Sequence, residues 1–516
     1  MLDVVGARVL VASGLLKPVR PDRLLGMGLA LARWGITPAT GYGAGAARTP
    51  HRPAIVDDEG VLTWREVDQR TNRIAGELRS AGVKPGDGVG LLARNGRGFV
   101  ESSVALAKCG ADVYYLNTGS AGSQLAEVLD RERAAAVVHD EEFGDLLAEA
   151  RPDRIALTTE ALGARATTDG PGAPLRAGHT SRQVIMTSGT TGAPRGAARS
   201  GASVEDAVAA LSRIPLRAQE TTVIAAPVFH AWGLGHLSLA MLLGSTVVLQ
   251  RRFDPAAVLA AVEQHRASTL VVVPVMLDKL LAAAAESSYD TSSLRIIASS
   301  GSALPAGLVQ RVLDAFGPVL YNLYGSTEVA YAAVATPEDL QADPGTAGRP
   351  PHGVTLRIVD EKGKDVPPGE VGTIYVGSGL SFAGYTDGSD KQRLDGLVST
   401  GDLGRFDDDG RLTVLGRDDD MVVIGGENVY PGQVEDVLMG SPDVADVAVV
   451  DEQDPSYGVR LVEHVVPAAG ATVDEEALQE LVRARLARFA VPRRVVVHDE
   501  LPRNATGKVL KRELRT

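Results

Sequence analysis

The stretch RQVIMTSGTTGAPRG, Arg182–Gly196, sets a short apolar run against a tail of small polar residues. Its first half reads as a strand short and apolar enough to be buried on both faces. Its second half, Met186–Gly196, holds three threonines, a serine, three glycines and one arginine. A strand that runs into such a turn can aim backbone amides inward, because glycine lets the chain bend and a ligand approach the main chain closely. Hydroxyls of Thr187, Ser188, Thr190 and Thr191 add donors, Gly189 and Gly192 leave room, and Arg195 adds a charged, bidentate donor. The implied ligand is the polyphosphate of a nucleotide. The loop is not a Walker A loop, because Pro194, Arg195 and Gly196 stand where that pattern needs Gly-Lys followed by Ser or Thr. Taken alone it also reads as a surface loop; the rest of the chain decides between the two.

At 516 residues the chain exceeds what one hydrophobic core serves, so at least two domains are expected. With 44% hydrophobic and 23% charged residues it has the composition of a folded globular protein. A formal charge of −13 argues against nucleic acid as a partner and against broad attraction to anionic membranes, so an anionic ligand must meet a local cluster of donors. The single cysteine, Cys109, reads as a small buried hydrophobe and fits a reducing, cytoplasmic location. No apolar run reaches the roughly 20 residues of a membrane span. The N-terminal MLDVVGARVLVASGLL reads as an amphipathic helix packed on the body, with weak peripheral membrane contact as the alternative.

Short Val/Ile/Leu runs alternate with helical periods from about residue 50 onward. In LTWREVDQRTNRIAGELRSAG the apolar Val67, Ile74 and Leu78 fall at helical spacing, and GVGLLA follows as a strand. The same rhythm returns in TTVIAAPVF, STVVLQ, STLVVVPV and LRIIASS. Alternation of this kind predicts an α/β protein with largely parallel, buried sheets. From about Asp343 the texture turns to short β runs rich in Gly and Pro, which predicts a small antiparallel, barrel-like unit over about 343–417. A hinge is expected at 418–420, centred on Asp419, before a last α+β unit over 421–516.

Three more stretches carry chemistry. YNLYGSTEVA ends a strand and places Glu328 beside Thr327, Ser326 and Gly325, a carboxylate among hydroxyls that suits Mg²⁺, while Tyr324 could stack on a base. Asp402, in STGDLG, and Arg417 stand across an expected hairpin and together suit ribose hydroxyls. Lys508 follows Gly507 in LPRNATGKVLKREL, a terminal segment able to swing a charge into a cleft.

In this order, the set resembles the adenylate-forming superfamily, its acyl-CoA synthetase branch in particular. The resemblance covers nearly the whole chain, from LTWREVDQRTNRIAGEL through PVFHAWG, SSGSALP, YGSTE and STGDLG to GRDDDMVVIGGENVYPGQVE and PRNATGKVLKREL. It implies a large N-terminal domain (1–417) of two stacked, mostly parallel sheets with the small β unit, and a mobile C-terminal domain. It implies that the loop holds ATP phosphates, that Glu328 with Thr190 binds Mg²⁺, and that Thr327 contacts the α-phosphate. Asp402 and Arg417 match ribose ligands; Gly301, Ser302, Ala303, Asn322 and Tyr324 frame adenine. Lys508 matches the lysine that bridges carboxylate and α-phosphate. Gly425 and Gly426 match a loop that meets the pantetheine thiol once the C-terminal domain has turned about Asp419. Arg195 departs from the family's usual lysine.

His230 stands where amino-acid-activating relatives carry an aspartate, so an α-amino acid is not expected as substrate. Val228, His230, Trp232, Gly233 and Leu323 match positions around the acyl pocket, and His230 also matches a residue that gates pocket and thiol tunnel. The expected substrate is a hydrophobic carboxylic acid, fatty, aryl or polycyclic, and the expected acceptor is coenzyme A. A free-standing enzyme that loads an acyl carrier protein is the alternative, and a non-catalytic nucleotide sensor the remaining one.

Overall fold

The computed structural model describes the chain except residues 1–2, 150–153, 168–171, 188–194, 199–203, 380–383, 418–419, 425–426, 455–457, 487–489, 505–506 and 516. Two large sheets form the body. The first has eight strands in the order Ala333–Ala335, Leu320–Tyr324, Ile296–Ser299, Thr269–Val272, Thr221–Ile224, Thr246–Leu249, Pro53–Asp57 and Gly60–Thr63. Its interior pairings are parallel and only its two edge strands run antiparallel. The second has six strands, Ile155–Thr158, Ala136–His139, Gly88–Leu92, Asp112–Tyr115, Gln183–Thr187 and Arg195–Ala198, parallel up to the last pair.

Three of the runs read as doubly buried strands bury every residue, Thr246–Leu249, Thr269–Val272 and Ile296–Ser299, and the fourth, Thr221–Ile224, all but its first. Strands of this kind lose nothing by being apolar throughout, because helices cover both faces. The helix Trp64–Ser80 begins at a capping box, with Thr63 Oγ1 accepting from Glu66 N–H and the Glu66 carboxylate accepting from Thr63 N–H. It buries Val67, Ile74 and Leu78 on one side. One continuous core joins both sheets, running from Val89, Leu91 and Val113 to Val223, Leu270 and Ile297.

The small β unit is a five-stranded antiparallel sheet built on the long strand Leu397–Phe406, which pairs with Gly372–Gly377, Arg393–Leu394 and Leu412–Arg417. The C-terminal strands form sheets of their own, Val444–Asp454, Gly458–Pro467 and Arg494–Val497 making the larger, over a separate core that includes Val449, Leu461, Leu478 and Val482. Cys109 is buried, and burial pushes its thiol up to about 12, so it is inert at neutral pH.

Candidate active site

Of the described residues singled out in the sequence, Gly301–Ala303 and Tyr324–Glu328 lie at or just beyond the carboxyl ends of the parallel strands Ile296–Ser299 and Leu320–Tyr324, where open α/β sheets bind ligands. The strand Leu320–Tyr324 ends at Tyr324, whose hydroxyl donates to Asp402 Oδ2 at 2.5 Å. Asp402 lies directly opposite Arg417 in the ladder, and Arg417 Nε is 4.0 Å from Asp402 Oδ1. The register shifts just beyond this pair, with Leu415 as the extra residue, a bulge of the kind that re-aims side chains. Burial pushes the Asp402 carboxyl up, while the Tyr324 hydroxyl and the charges of Arg417 and Lys508 act in the opposite sense. Burial, and then the Asp402 charge, hold the Tyr324 phenol well above its usual range.

Lys508 reaches this corner from the C-terminal unit. Its turn is tied by Gly507 N–H to Asn504 O and by Lys508 N–H to the Asn504 side chain, each at 2.9 Å. Gly507 has φ +80°, and a Cβ added there would stand 2.5 Å from Val275 Cγ1, at the start of the helix Pro274–Glu286. Gly507 therefore packs closely on the start of that helix, an approach that glycine permits. The Lys508 side chain is exposed.

Glu328 and Thr327 occupy the turn after Tyr324. The turn is closed by Ala330 N–H donating to Ser326 O at 2.9 Å, and a Cβ on Gly325 would fall 1.8 Å from Ala330 O. Ser326 Oγ accepts from Glu328 N–H at 3.2 Å. The Tyr385 hydroxyl donates to Glu328 Oε1 at 2.6 Å, and the Arg195 guanidinium lies over the Tyr385 ring at 5.6 Å and 3.5 Å from Asp387 Oδ2. Tyr385 thus joins the two large sheets beside the pair Thr187–Arg195, since Ala197 on the same strand bridges to Tyr385. Burial and the neighbouring Glu328 carboxylate push the Tyr385 phenol up. Ser188, Gly189, Thr190, Thr191, Gly192, Asp419, Gly425 and Gly426 lie outside the described residues, as does the side chain of Thr187.

Gly301, Ser302 and Ala303 follow the strand Ile296–Ser299, Gly301 with φ +104°. Asn322 is the ladder partner of Ser299. Asn322 Oδ1 and Ser299 Oγ are buried with no hydrogen-bond partner among the described residues, while Ser300 Oγ donates to Leu323 O at 2.9 Å. Buried polar atoms are normally paired, so such orphans on a sheet's ligand-binding edge fit a polar ligand atom. Leu323 points the other way, into a cluster with Leu239 and Leu243 that Trp232 flanks.

The loop before His230 is held by a residue that sequence reasoning passed over. Buried Asn95 accepts from Val228 N–H at 2.9 Å and donates to Ala226 O at 3.0 Å. Val228 itself is fully buried in the main core. Gly233 admits the same loop, for a Cβ there would meet Pro227 O at 2.3 Å. His230 is the N-cap residue of the helix Ala231–Leu243; its ring is 4.4 Å from that of Phe229, and Trp232 meets His236 edge-on at 4.3 Å. Trp232 Nε1 donates to Val272 O at 2.9 Å. Burial lowers His230 to about 4 and His236 to about 3, so both rings are neutral at pH 7. The only sequence signal for His236 was its i, i+4 spacing from Trp232, and for Asn95 its place just past a strand end.

Comparison with known proteins agrees with this geometry. Residues 44–386 match the profile of the AMP-binding enzyme family and residues 433–508 that of the AMP-binding enzyme C-terminal domain. The chain is 36% identical over 489 residues to an indoleacetate–CoA ligase of Aromatoleum aromaticum, covering 91% of this chain and 96% of that one. It is 35% identical over 476 residues to a feruloyl-CoA synthase of Amycolatopsis sp, with the same coverage of each. The solved structure of o-succinylbenzoate CoA synthetase from Bacillus subtilis, in complex with its acyl-adenylate intermediate, superposes with a TM-score of 0.82 at 28% identity, over 92% of this chain and 97% of that one. On sequence and fold together, the chain belongs to the AMP-binding, adenylate-forming enzyme family.

Proposed function

We propose that this protein is an AMP-forming acyl-CoA synthetase that activates a hydrophobic carboxylic acid with ATP and passes the acyl group to coenzyme A. The observation that carries this reading is the corner where Tyr324, Asp402 and Arg417 from the body meet the Lys508 turn laid on Val275. Asp402 and Arg417 suit ribose hydroxyls, and Asn322, Gly301, Ser302 and Ala303 border the base, with the orphaned Asn322 side chain as a polar partner for it. Glu328 offers one carboxylate for Mg²⁺, a cation that takes one or two carboxylates and fills its remaining sites with phosphate oxygens and water. When bound, Mg²⁺ neutralises phosphate charge. Thr327, Ser326 and Arg195 add donors on the same side.

In the first half-reaction a substrate carboxylate oxygen bonds to the α-phosphorus of ATP and the bond to pyrophosphate breaks, leaving an acyl-AMP. Two anions must approach, and Lys508 offsets both charges at once. In the second, the thiol sulfur of coenzyme A attacks the acyl carbonyl, its proton leaves and AMP departs. Lys508 has no part in that step, which is assigned to a rotated C-terminal unit hinged at Asp419 that presents Gly425 and Gly426 to pantetheine.

The acyl side is assigned to the part-exposed His230 and Trp232, backed by the buried rings of Phe229 and His236, with both histidines neutral. Flat rings favour stacked or edge-on partners, which points to an aryl acid among the hydrophobic acids, in line with the aryl substrates in the names of the two ligases above. The test is ATP-dependent pyrophosphate release and thioester mass across hydroxycinnamic, indoleacetic and fatty acids with coenzyme A. Aryl acids are expected to lead; thioester forming only on a carrier protein would reassign the acceptor. Absence of acid-dependent turnover across the panel would leave a nucleotide sensor.

A further inference from the structure

We propose that the first two helices form a lipid-facing surface that seats the protein on an anionic membrane. Call the helix Val4–Ala12 α1 and the helix Pro21–Trp34 α2. Helix α2 is anchored on its inner side: Trp34 Nε1 donates to Leu175 O at 3.1 Å, Arg23 Nη1 donates to Arg48 O at 2.8 Å, and Ala30 and Trp34 are buried. Its outer side is apolar as well. Leu24, Leu25, Leu29 and Leu31 are 51%, 66%, 53% and 50% exposed, and with exposed Gly28 and Ala32 they fall at helical spacing on one face. Helix α1 repeats the pattern, with Val4, Val5, Val11 and Ala12 exposed around Arg8 while Leu10 is buried. Of the fourteen large hydrophobic residues that stand exposed among the described residues, nine lie between Val4 and Ile36.

A soluble surface helix exposes polar residues, so a helix apolar on both sides has a second partner. Charge decides which. This segment carries Arg8, Lys17, Arg20, Arg23 and Arg33 against Asp3 and Asp22, a cationic island in a chain of net charge −13. Leucines beside exposed arginine and lysine are the composition of a helix lying in the headgroup region, where the long cations reach anionic phosphates. A two-fold contact with a second copy would instead set these cations against each other. At 14 residues α2 is too short to span, and no described helix is long and apolar enough to cross a membrane. The overall acidity that argues against broad membrane attraction is thus reversed locally. Such a seat would also place the enzyme where a hydrophobic acid concentrates; that benefit rests on the proposed activity, whereas the seat does not.

The test is co-sedimentation of the full chain with vesicles of phosphatidylcholine alone or mixed equally with phosphatidylglycerol. The chain is expected to pellet with the anionic vesicles and much less with the neutral ones, and to be released by salt. Leu24→Ser/Leu25→Ser/Leu29→Ser, at exposed positions that leave the core intact, should weaken binding at least about tenfold. Arg8→Gln/Arg33→Gln should reduce the preference for the anionic lipid, because Lys17, Arg20 and Arg23 remain. Thioester formation from a water-soluble aryl acid should stay within about twofold in both variants, which separates failure of the seat from failure of the activity. The proposal is overturned if the chain ignores anionic vesicles, if the serine variant pellets as wild type does, or if sedimentation equilibrium shows a dimer that the serine variant dissolves.

Discussion

Two regions flank the end of the strand Leu320–Tyr324 and solve opposite problems. At the proposed nucleotide corner the charged groups are tied to hydroxyls and to one another, Tyr324 with Asp402, Asp402 with Arg417 and Tyr385 with Glu328, and only the neutral Asn322 Oδ1 and Ser299 Oγ beside them stand without a partner among the described residues. At the acyl side the buried His230 Nε2 and His236 Nε2 have no hydrogen-bond partner among the described residues, and burial strips both rings of charge. The first region is built to hold polar groups at fixed positions. The second offers shape and ring surface, which tolerate variation in what they contact. On the proposed assignment, the difference places nucleotide chemistry and acid choice in separable parts, one electrostatic and one steric.

The largest effect is expected at Lys508, which the proposed mechanism assigns to the polar corner alone. Lys508→Ala is expected to slow acyl-AMP formation by about 10²–10³ and to leave thioester formation from supplied acyl-AMP within about tenfold. Equal loss in both half-reactions would refute the division of labour. Asp402→Ala should come next, lowering kcat/KM for ATP about 10- to 100-fold through loss of a charge-assisted hydrogen bond, with the KM for the acid little changed. A parallel rise in the KM for the acid would show that the two regions are not separable.

Smaller effects sharpen the acyl side. Asn95→Ala removes the partner of the buried Val228 N–H and should destabilise the fold by about 1–3 kcal/mol in chemical denaturation. Its effect on activity should fall on the KM for the acid more than on that for ATP, because the loop it pins leads to His230. The histidines supply a separate test, of stability against pH rather than of rate. Their folded-state values, about 4 and about 3, lie below the unfolded value near 6.5, so the unfolded chain binds more protons between these limits. The stability they contribute is complete above about pH 6.5 and falls as pH drops toward 4, by about 1.4 kcal/mol per pH unit for each ring. His236→Leu should flatten that acid limb measurably; an unchanged slope would mean that the ring is not buried as a neutral group.

Much of the fold could be read along the chain because its signals are local. Doubly buried strands such as Thr269–Val272 and the capping box at Thr63 each announce themselves within a few residues. Asp402 and Arg417 were legible as a pair for the same reason, since a hairpin brings residues close in sequence into register. Tyr385 and Asn95 were not. Tyr385 meets Glu328 across 57 positions, and Asn95 meets Val228 across 133. Neither sits in a pattern that distinguishes it from an ordinary loop residue. Apolar content likewise marked the N-terminal segment as helical without telling which of its sides the body would cover.

The sequence by itself determined the chemistry on offer: a glycine-rich turn after a buried strand, a carboxylate among hydroxyls, an Asp–Arg hairpin and a lysine near the C-terminus. Side-chain chemistry and short-range periodicity are properties of neighbours in the chain, and they survive without the fold. Only the tertiary structure decided that Gly507 packs on Val275, that Tyr385 links Arg195 to Glu328, and that the leucines of α2 face outward. These are contacts between segments far apart in the chain, set by how sheets and helices stack, and no local preference encodes them.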